Sequence, residues 1–236
     1  LAFSLNGQPM GTICPPALER RIEVNVCGGS SLDYVEVLHN NQIIHRESVF
    51  PPLMTHGCYK VHVELGWGER PGATSWDVDL RISDGVVRGV EPRFRGYGPT
   101  DNPDSSDFSY SNWQQIDDNY VWFHTQTRQN TSLHTPGTEG VALEIEGNEA
   151  TQIQALINGQ KITLPLAELM TGSRTFYLGG FVSPAICFHR AVPQTEYAHR
   201  FSFLHCSEAS AREWYTVRVR QRNDQWAWSS PIWVEC

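Results

Sequence analysis

In a chain of 236 residues, chemistry needs side chains that ligate, attack or exchange protons, so its six cysteines and nine histidines come first. Cys14, Cys27, Cys58, Cys187, Cys206 and Cys236 show no C-x-x-C spacing, and no two histidines stand as H-x-H. Those absences exclude a zinc ribbon, a thioredoxin-like couple and the shortest metal-ligating motifs. In "AICFHR", Cys187 and His189 alternate along an extended segment and therefore share one face. His205 or Cys206 would join them around a metal if the strands paired, but as adjacent residues only one of that pair faces the site. Histidines buried in a β scaffold or lining its rim explain the same residues without an ion. No metal ligand, catalytic residue or cofactor is expected from these spacings.

Other chemistries leave fewer traces. A glycosidase needs two opposed carboxylates with one raised pKa. Glu69, Asp77, Asp79, Glu91, Asp117 and Asp118 are available, yet no spacing selects a pair. A G-x-S-x-G elbow is missing, and "LGGF" lacks the lysine and following helix of a phosphate cradle. The richest loop is "DNPDSSDFSYSNW", where Asp101, Asp104 and Asp107 accompany Phe108, Tyr110 and Trp113. Carboxylates with aromatics bind calcium or stack on sugars, because hard cations want several oxygens and sugar faces are apolar. The D-x-D-x-D-G pattern is absent, and a solvated loop is the plainer account. Near the end, "QRNDQWAWSSPIWVEC" places Trp226, Trp228 and Trp233 on short extended segments, as core or interface aromatics.

The elements that must position these residues are strands. In "TSWDVDLRIS", Trp76, Val78, Leu80 and Ile82 alternate with polar residues, giving one dry and one wet face. Asp84-Gly85, Asn158-Gly159, Asn40-Asn41 and Asn223-Asp224 read as hairpin turns, since Gly, Asn and Asp tolerate positive φ. Helix is confined to "PLAELMTG" and a turn in "SEASAREW". Turn signals at short, even intervals predict an all-β fold of antiparallel sandwiches. Two irregular stretches, 96–119 and 128–140, are long for ordinary connections.

Composition bounds the partners. With 40% apolar and 19% charged residues the chain is a folded protein. A formal charge of −8 disfavours nucleic acid. Arg218, Arg220 and Arg222, at period two, read as a solvated outer face. No apolar run is long enough for a membrane helix. The opening "LAFSLNGQPMG" has no basic n-region and does not read as a signal peptide. Six cysteines, of unknown pairing, and the sequon Asn130-Thr131-Ser132 fit an extracytoplasmic or secreted setting with disulfides; reduced core cysteines are the alternative.

Several strings carry a family resemblance: "FSLNGQPMGT", "YVEVLHNNQIIHRE", "VELGWGERPGATSWDVDLRI", "GVEPRFRG", "SRTFYLGGFVSPAICFHRAVP" and "YTVRVRQRNDQWAWSSPIWV". In this order they resemble the C-terminal β-rich region of large bacterial proteins that carry an N-terminal PHP-type domain, of the polymerase and histidinol phosphatase superfamily of metal-dependent phosphoesterases. The resemblance implies that the catalytic barrel lies outside this chain, so no catalytic residue transfers. It also implies an immunoglobulin-like unit built from residues 1–65 and 207–236, with a β-sandwich inserted at 66–206.

The expected function is a non-catalytic structural or interaction module. Its partner would be protein, either the rest of a PHP-type parent or identical copies joined through edge strands, aromatics or Cys236. A carbohydrate-binding module using the 96–119 loop is the alternative, and a hydrolase with an unrecognised site the third reading. Neither nucleic acid nor membrane insertion is expected.

Overall fold

Alternating strands dominate the computed structural model, which describes residues 1–49, 56–66, 73–94, 110–128, 137–179, 184–208 and 212–235. The chain is all-β, as its periodicity requires. It opens with β1 (Ala2–Leu5), β2 (Gln8–Pro9), β3 (Ile13–Cys14), β4 (Glu19–Cys27), β5 (Leu32–His39) and β6 (Gln42–Ser48). Then come β7 (His56–Gly66), β8 (Ala73–Pro92), β9 (Asn112–Asp117), β10 (Tyr120–Arg128), β11 (Glu139–Ile157) and β12 (Gln160–Pro165). A short helix α1 (Leu166–Thr171) leads to β13 (Arg174–Tyr177), β14 (Ala185–Phe188) and β15 (Val192–Pro193). The chain closes with α2 (Gln194–Tyr197), β16 (Ala198–Cys206), β17 (Glu213–Gln221), β18 (Trp226–Trp228) and β19 (Ile232–Val234).

Two units result, one joining Leu1–Leu53 to Pro193–Cys236 and the other comprising Met54–Val192. The insertion is therefore wider at its start and narrower at its end than the expected 66–206. β7 belongs to the inserted unit because it pairs β11 and β14. β16 belongs to the terminal unit because it pairs β4 along its whole length. Hydrogen-bonded partners, rather than turn signals, fix both boundaries.

In the terminal unit a sheet ordered β16-β4-β1-β2 faces a second ordered β3-β19-β17-β5-β6, with β18 on β17. Alternate residues of the two sheets, including Phe3, Leu5, Ile22, Val24, Val35, Val37, Val217, Val219 and Ile232, form one buried cluster. This is the sandwich-like packing of two half-wet sheets. Asn6-Gly7 and Asn40-Asn41 turn β1 into β2 and β5 into β6, all four at positive φ where they are non-glycine or glycine alike.

The inserted unit is one nine-stranded sheet whose main path runs β13-β14-β7-β11-β8-β10-β9, with β12 on β11. Its core holds Trp76, Val78, Leu80, Phe123, Leu143, Ile145 and the α1 residues Leu166 and Leu169. Asn158-Gly159 makes the expected hairpin between β11 and β12, and Asn158 also ties the turn to Asp77 N and Ser75 O. Asp84-Gly85 does not turn the chain. Asp84 takes φ 53°, yet β8 continues through it for 20 residues. Opposite lies the register shift between Gly147 and Gln152 of β11, where buried Thr151 donates to Asp84 O at 2.6 Å. A clamped bulge has replaced the hairpin.

Candidate functional site

β7 and β14 run antiparallel with Cys187 opposite Glu64 and Phe188 opposite Val63. Val61, Val63 and Leu65 point into the core, so His62 and Glu64 share the other face. One residue past β14, His189 N–H donates to His62 O at 2.9 Å and continues the ladder. Two strands thereby place His62 beside His189 and Glu64 beside Cys187. The imidazoles stack with centroids 4.9 Å apart and planes 11° from parallel. Across the diagonal, His189 Nε2 meets Glu64 Oε2 at 2.6 Å.

Each member is supported from behind. Thr138, itself buried, donates to Glu64 Oε1 at 2.6 Å. Cys187 hydrogen-bonds the His189 ring and is cross-strand to Thr175, which also bonds the thiol. Gly140 stands opposite Glu64 on β11, and a Cβ there would lie 2.0 Å from Val63 O. Only glycine lets β11 approach β7 this closely.

The electrostatics follow from this packing. Burial works to raise the Glu64 carboxyl, but hydrogen bonds from His189 and Thr138 and the two imidazoles bring it down to about 2. His189 is pushed up to about 9 by its bonds to Cys187 and Glu64, against the effect of burial. Burial also raises the Cys187 thiol, and the His189 and Thr175 hydrogen bonds outweigh it, leaving it below the usual thiol value. At neutral pH this is a carboxylate–imidazolium pair with a polarised thiol alongside. Ligand atoms of His62, Glu64 and His189 lie within 4.8 Å of one another.

Cys187 and His189 share a face as their spacing requires, but their neighbours are His62 and Glu64 rather than His205 or Cys206. His205 lies in the terminal unit. There its Nδ1 is 2.9 Å from Tyr215 Oη, and Arg20 Nη1 donates to the same oxygen at 2.6 Å. Arg20 is fully buried, ion-pairs with Glu213 and donates to Ala17 O. Burial, with the His39 and Arg20 charges, holds His205 below its ordinary pKa. Cys206 is exposed on β16.

Of the core-or-interface expectation for the terminal tryptophans, the core half fails for Trp226 and Trp228. Trp226 and Trp228 are 41% and 62% exposed rather than core residues. β17–β18 pairing sets Arg220 opposite Trp226 and Arg218 opposite Trp228, on the face away from buried Val217 and Val219. The indoles stack at 5.5 Å and 17°, and Trp226 meets Tyr34 edge-on at 6.0 Å. Arg218 and Arg220 stand 5.8 and 5.4 Å from the Trp226 ring, and Arg46 lies 3.8 Å over Tyr34. Beneath them the buried Glu36 carboxylate accepts from Arg46 at 3.1 Å and from Arg218 at 2.5 Å. Trp233 is half-buried, tilted against Trp214 and covered by Arg212 at 4.0 Å.

Asp101, Asp104, Asp107 and Phe108 lie outside the described residues; Tyr110 and Trp113 are exposed, at 67% and 37%. Of the carboxylates weighed for glycosidase chemistry, Asp77 binds His124 at 2.9 Å, Glu91 pairs with Lys60 and Arg93, and Asp79 accepts from Tyr120. Glu69 lies outside the described residues. Among the described residues, Cys14, Cys27, Cys58, Cys187 and Cys206 form no disulfide, and Cys236 lies outside them. Among the described residues no helix is long and apolar enough to cross a membrane. No protein-family model matches the sequence, and no curated protein or solved structure is detectably similar to it.

Proposed function

We propose that the chain is a non-catalytic β-sandwich module that works by binding protein, as the C-terminal part of a larger PHP-type protein with an immunoglobulin-like terminal unit. One observation carries the reading: the outer face of the terminal unit displays Trp226 and Trp228 stacked on each other among Arg218, Arg220, Arg46 and Tyr34. Trp, Tyr and Arg supply most of the binding energy at protein interfaces, and rigid strands hold them at little entropic cost. The buried Glu36 anchors two of the arginines, so the face is preorganised rather than adaptable.

The partner is the portion of the parent protein that precedes this region, or a second copy of the chain in an extracytoplasmic assembly. Sedimentation of the 236-residue chain, alone and with the separately produced preceding portion, tests both. Replacing Trp226 and Trp228 by alanine should weaken the complex by more than about tenfold, as hot-spot residues do, while leaving the melting temperature of the chain in place. Undiminished association in the double variant would sink the reading.

Exposed Tyr110, two residues before β9, and Trp113, on β9, favour carbohydrate binding as the second reading. A glycan array repeated with Trp113→Ala tests it, and silence of the unmutated chain on every glycan would remove it.

A further inference from the structure

We propose that His62, Glu64 and His189 of the inserted unit form a binding site for a late first-row divalent cation, zinc foremost, with Thr138 and Cys187 as the groups that orient the ligands. Ligand type points to the metal. Two imidazoles and one carboxylate suit zinc and its neighbours, whereas magnesium and calcium take oxygen-only sets. Placement supports it. The three ligand atoms already lie within 4.8 Å of each other, and ladder-paired strands hold them. The His189 N–H to His62 O bond fixes the two imidazoles side by side.

The outer groups match what ligated side chains need. A ligating histidine and carboxylate are normally held by hydrogen bonds at their remaining atoms. Here Thr138 takes Glu64 Oε1, leaving Oε2 for the cation, and Cys187 bonds the His189 ring. The hydrogen bond between Glu64 Oε2 and His189 Nε2, 2.6 Å long, would give way to the cation. Three protein ligands leave a fourth tetrahedral position for water or an external donor. The side chains are half-buried, so an ion reaches them from solvent.

The test is a Co2+ titration of the chelator-stripped chain followed by visible absorption, with Zn2+ competition and metal content by mass spectrometry. One equivalent should bind, giving tetrahedral d–d bands that Zn2+ abolishes. Circular dichroism should confirm that His62→Ala and Glu64→Gln fold, and both should lose stoichiometric binding. Cys187→Ala should keep the stoichiometry and weaken affinity by about 10–100-fold, the usual effect of removing an orienting group. No stoichiometric binding by the unmutated chain would overturn the proposal without reference to any variant, leaving an ion pair only. So would binding that both variants retain.

Discussion

Glu64→Gln should flatten the pH dependence of stability that the β7–β14 pair creates. In metal-free protein, Glu64 sits near 2 and His189 near 9, against ordinary values of 4.5 and 6.5. Glu64 is depressed, so its contribution is present above about 4.5 and is lost as pH falls toward 2. His189 is raised, so its contribution is full below about 6.5 and is lost as pH rises toward 9. A shift of that size would correspond to at most about 3 kcal/mol. His189 owes its rise first to Cys187 and second to Glu64, so the glutamate carries only part of that shift, and the His189 side chain is 41% exposed. Solvent screening therefore brings the expected contribution to about 1–2 kcal/mol. Urea unfolding in chelator at pH 6 and pH 9.5 measures it. The unmutated chain should lose about 1–2 kcal/mol more than Glu64→Gln over that interval. Parallel losses in the two proteins would refute the reasoning, since other alkaline titrations are common to both.

Three further substitutions probe the frame around the sites. Gly140→Ala forces a Cβ against Val63 O and should cost about 1–3 kcal/mol or more by overpacking; an unchanged urea midpoint would show that β11 and β7 are not so close. Arg20→Met strips the buried Glu213 of its guanidinium and should cost about 3–5 kcal/mol, part of it recovered on adding Glu213→Gln; a loss under about 1 kcal/mol would contradict the burial of that pair. Thr127→Val leaves the buried Trp76 Nε1–H without its acceptor at 2.8 Å and should cost about 1–3 kcal/mol in thermal or urea unfolding; a neutral result would mean the indole has another acceptor.

Much of the fold was legible because its signals are local. Asn158-Gly159 and Asn40-Asn41 turn where positive φ is needed, and Trp76, Val78, Leu80 and Ile82 are all buried. Asp84-Gly85 carries an equally good turn signal, and its φ is indeed positive. Thr151, 67 residues away, captures the Asp84 carbonyl and keeps the strand running. Turn chemistry fixes a backbone angle; distant pairing decides whether that angle reverses the chain.

The tryptophans hold a similar lesson. Period two puts Trp226 and Trp228 on one face without saying which face. A two-residue turn at Asn223-Asp224 would set Trp228 opposite Val219, on the dry face; instead Gln221 N–H bonds Gln225 O across a three-residue loop, and that one-residue change of register sets Trp226 opposite Arg220 and Trp228 opposite Arg218. The polar site was half legible. Cys187 and His189 stand out, and "VHVEL" offers His62 and Glu64 on the wet side of an otherwise apolar strand. What joins them is a strand pairing 125 residues apart in sequence, from Glu64 to His189, which no local pattern encodes.

The claim that the arginine–tryptophan face is a protein-binding surface is tested most directly by oxidative footprinting of tryptophans. The isolated 236-residue chain, held monomeric by dilution, and the natural protein in its native assembly are labelled side by side. Trp226 and Trp228 should react readily in the isolated chain and be shielded in the assembly, with fully buried Trp76 unreactive in both. Equal labelling of Trp226 and Trp228 in the two samples would contradict the account.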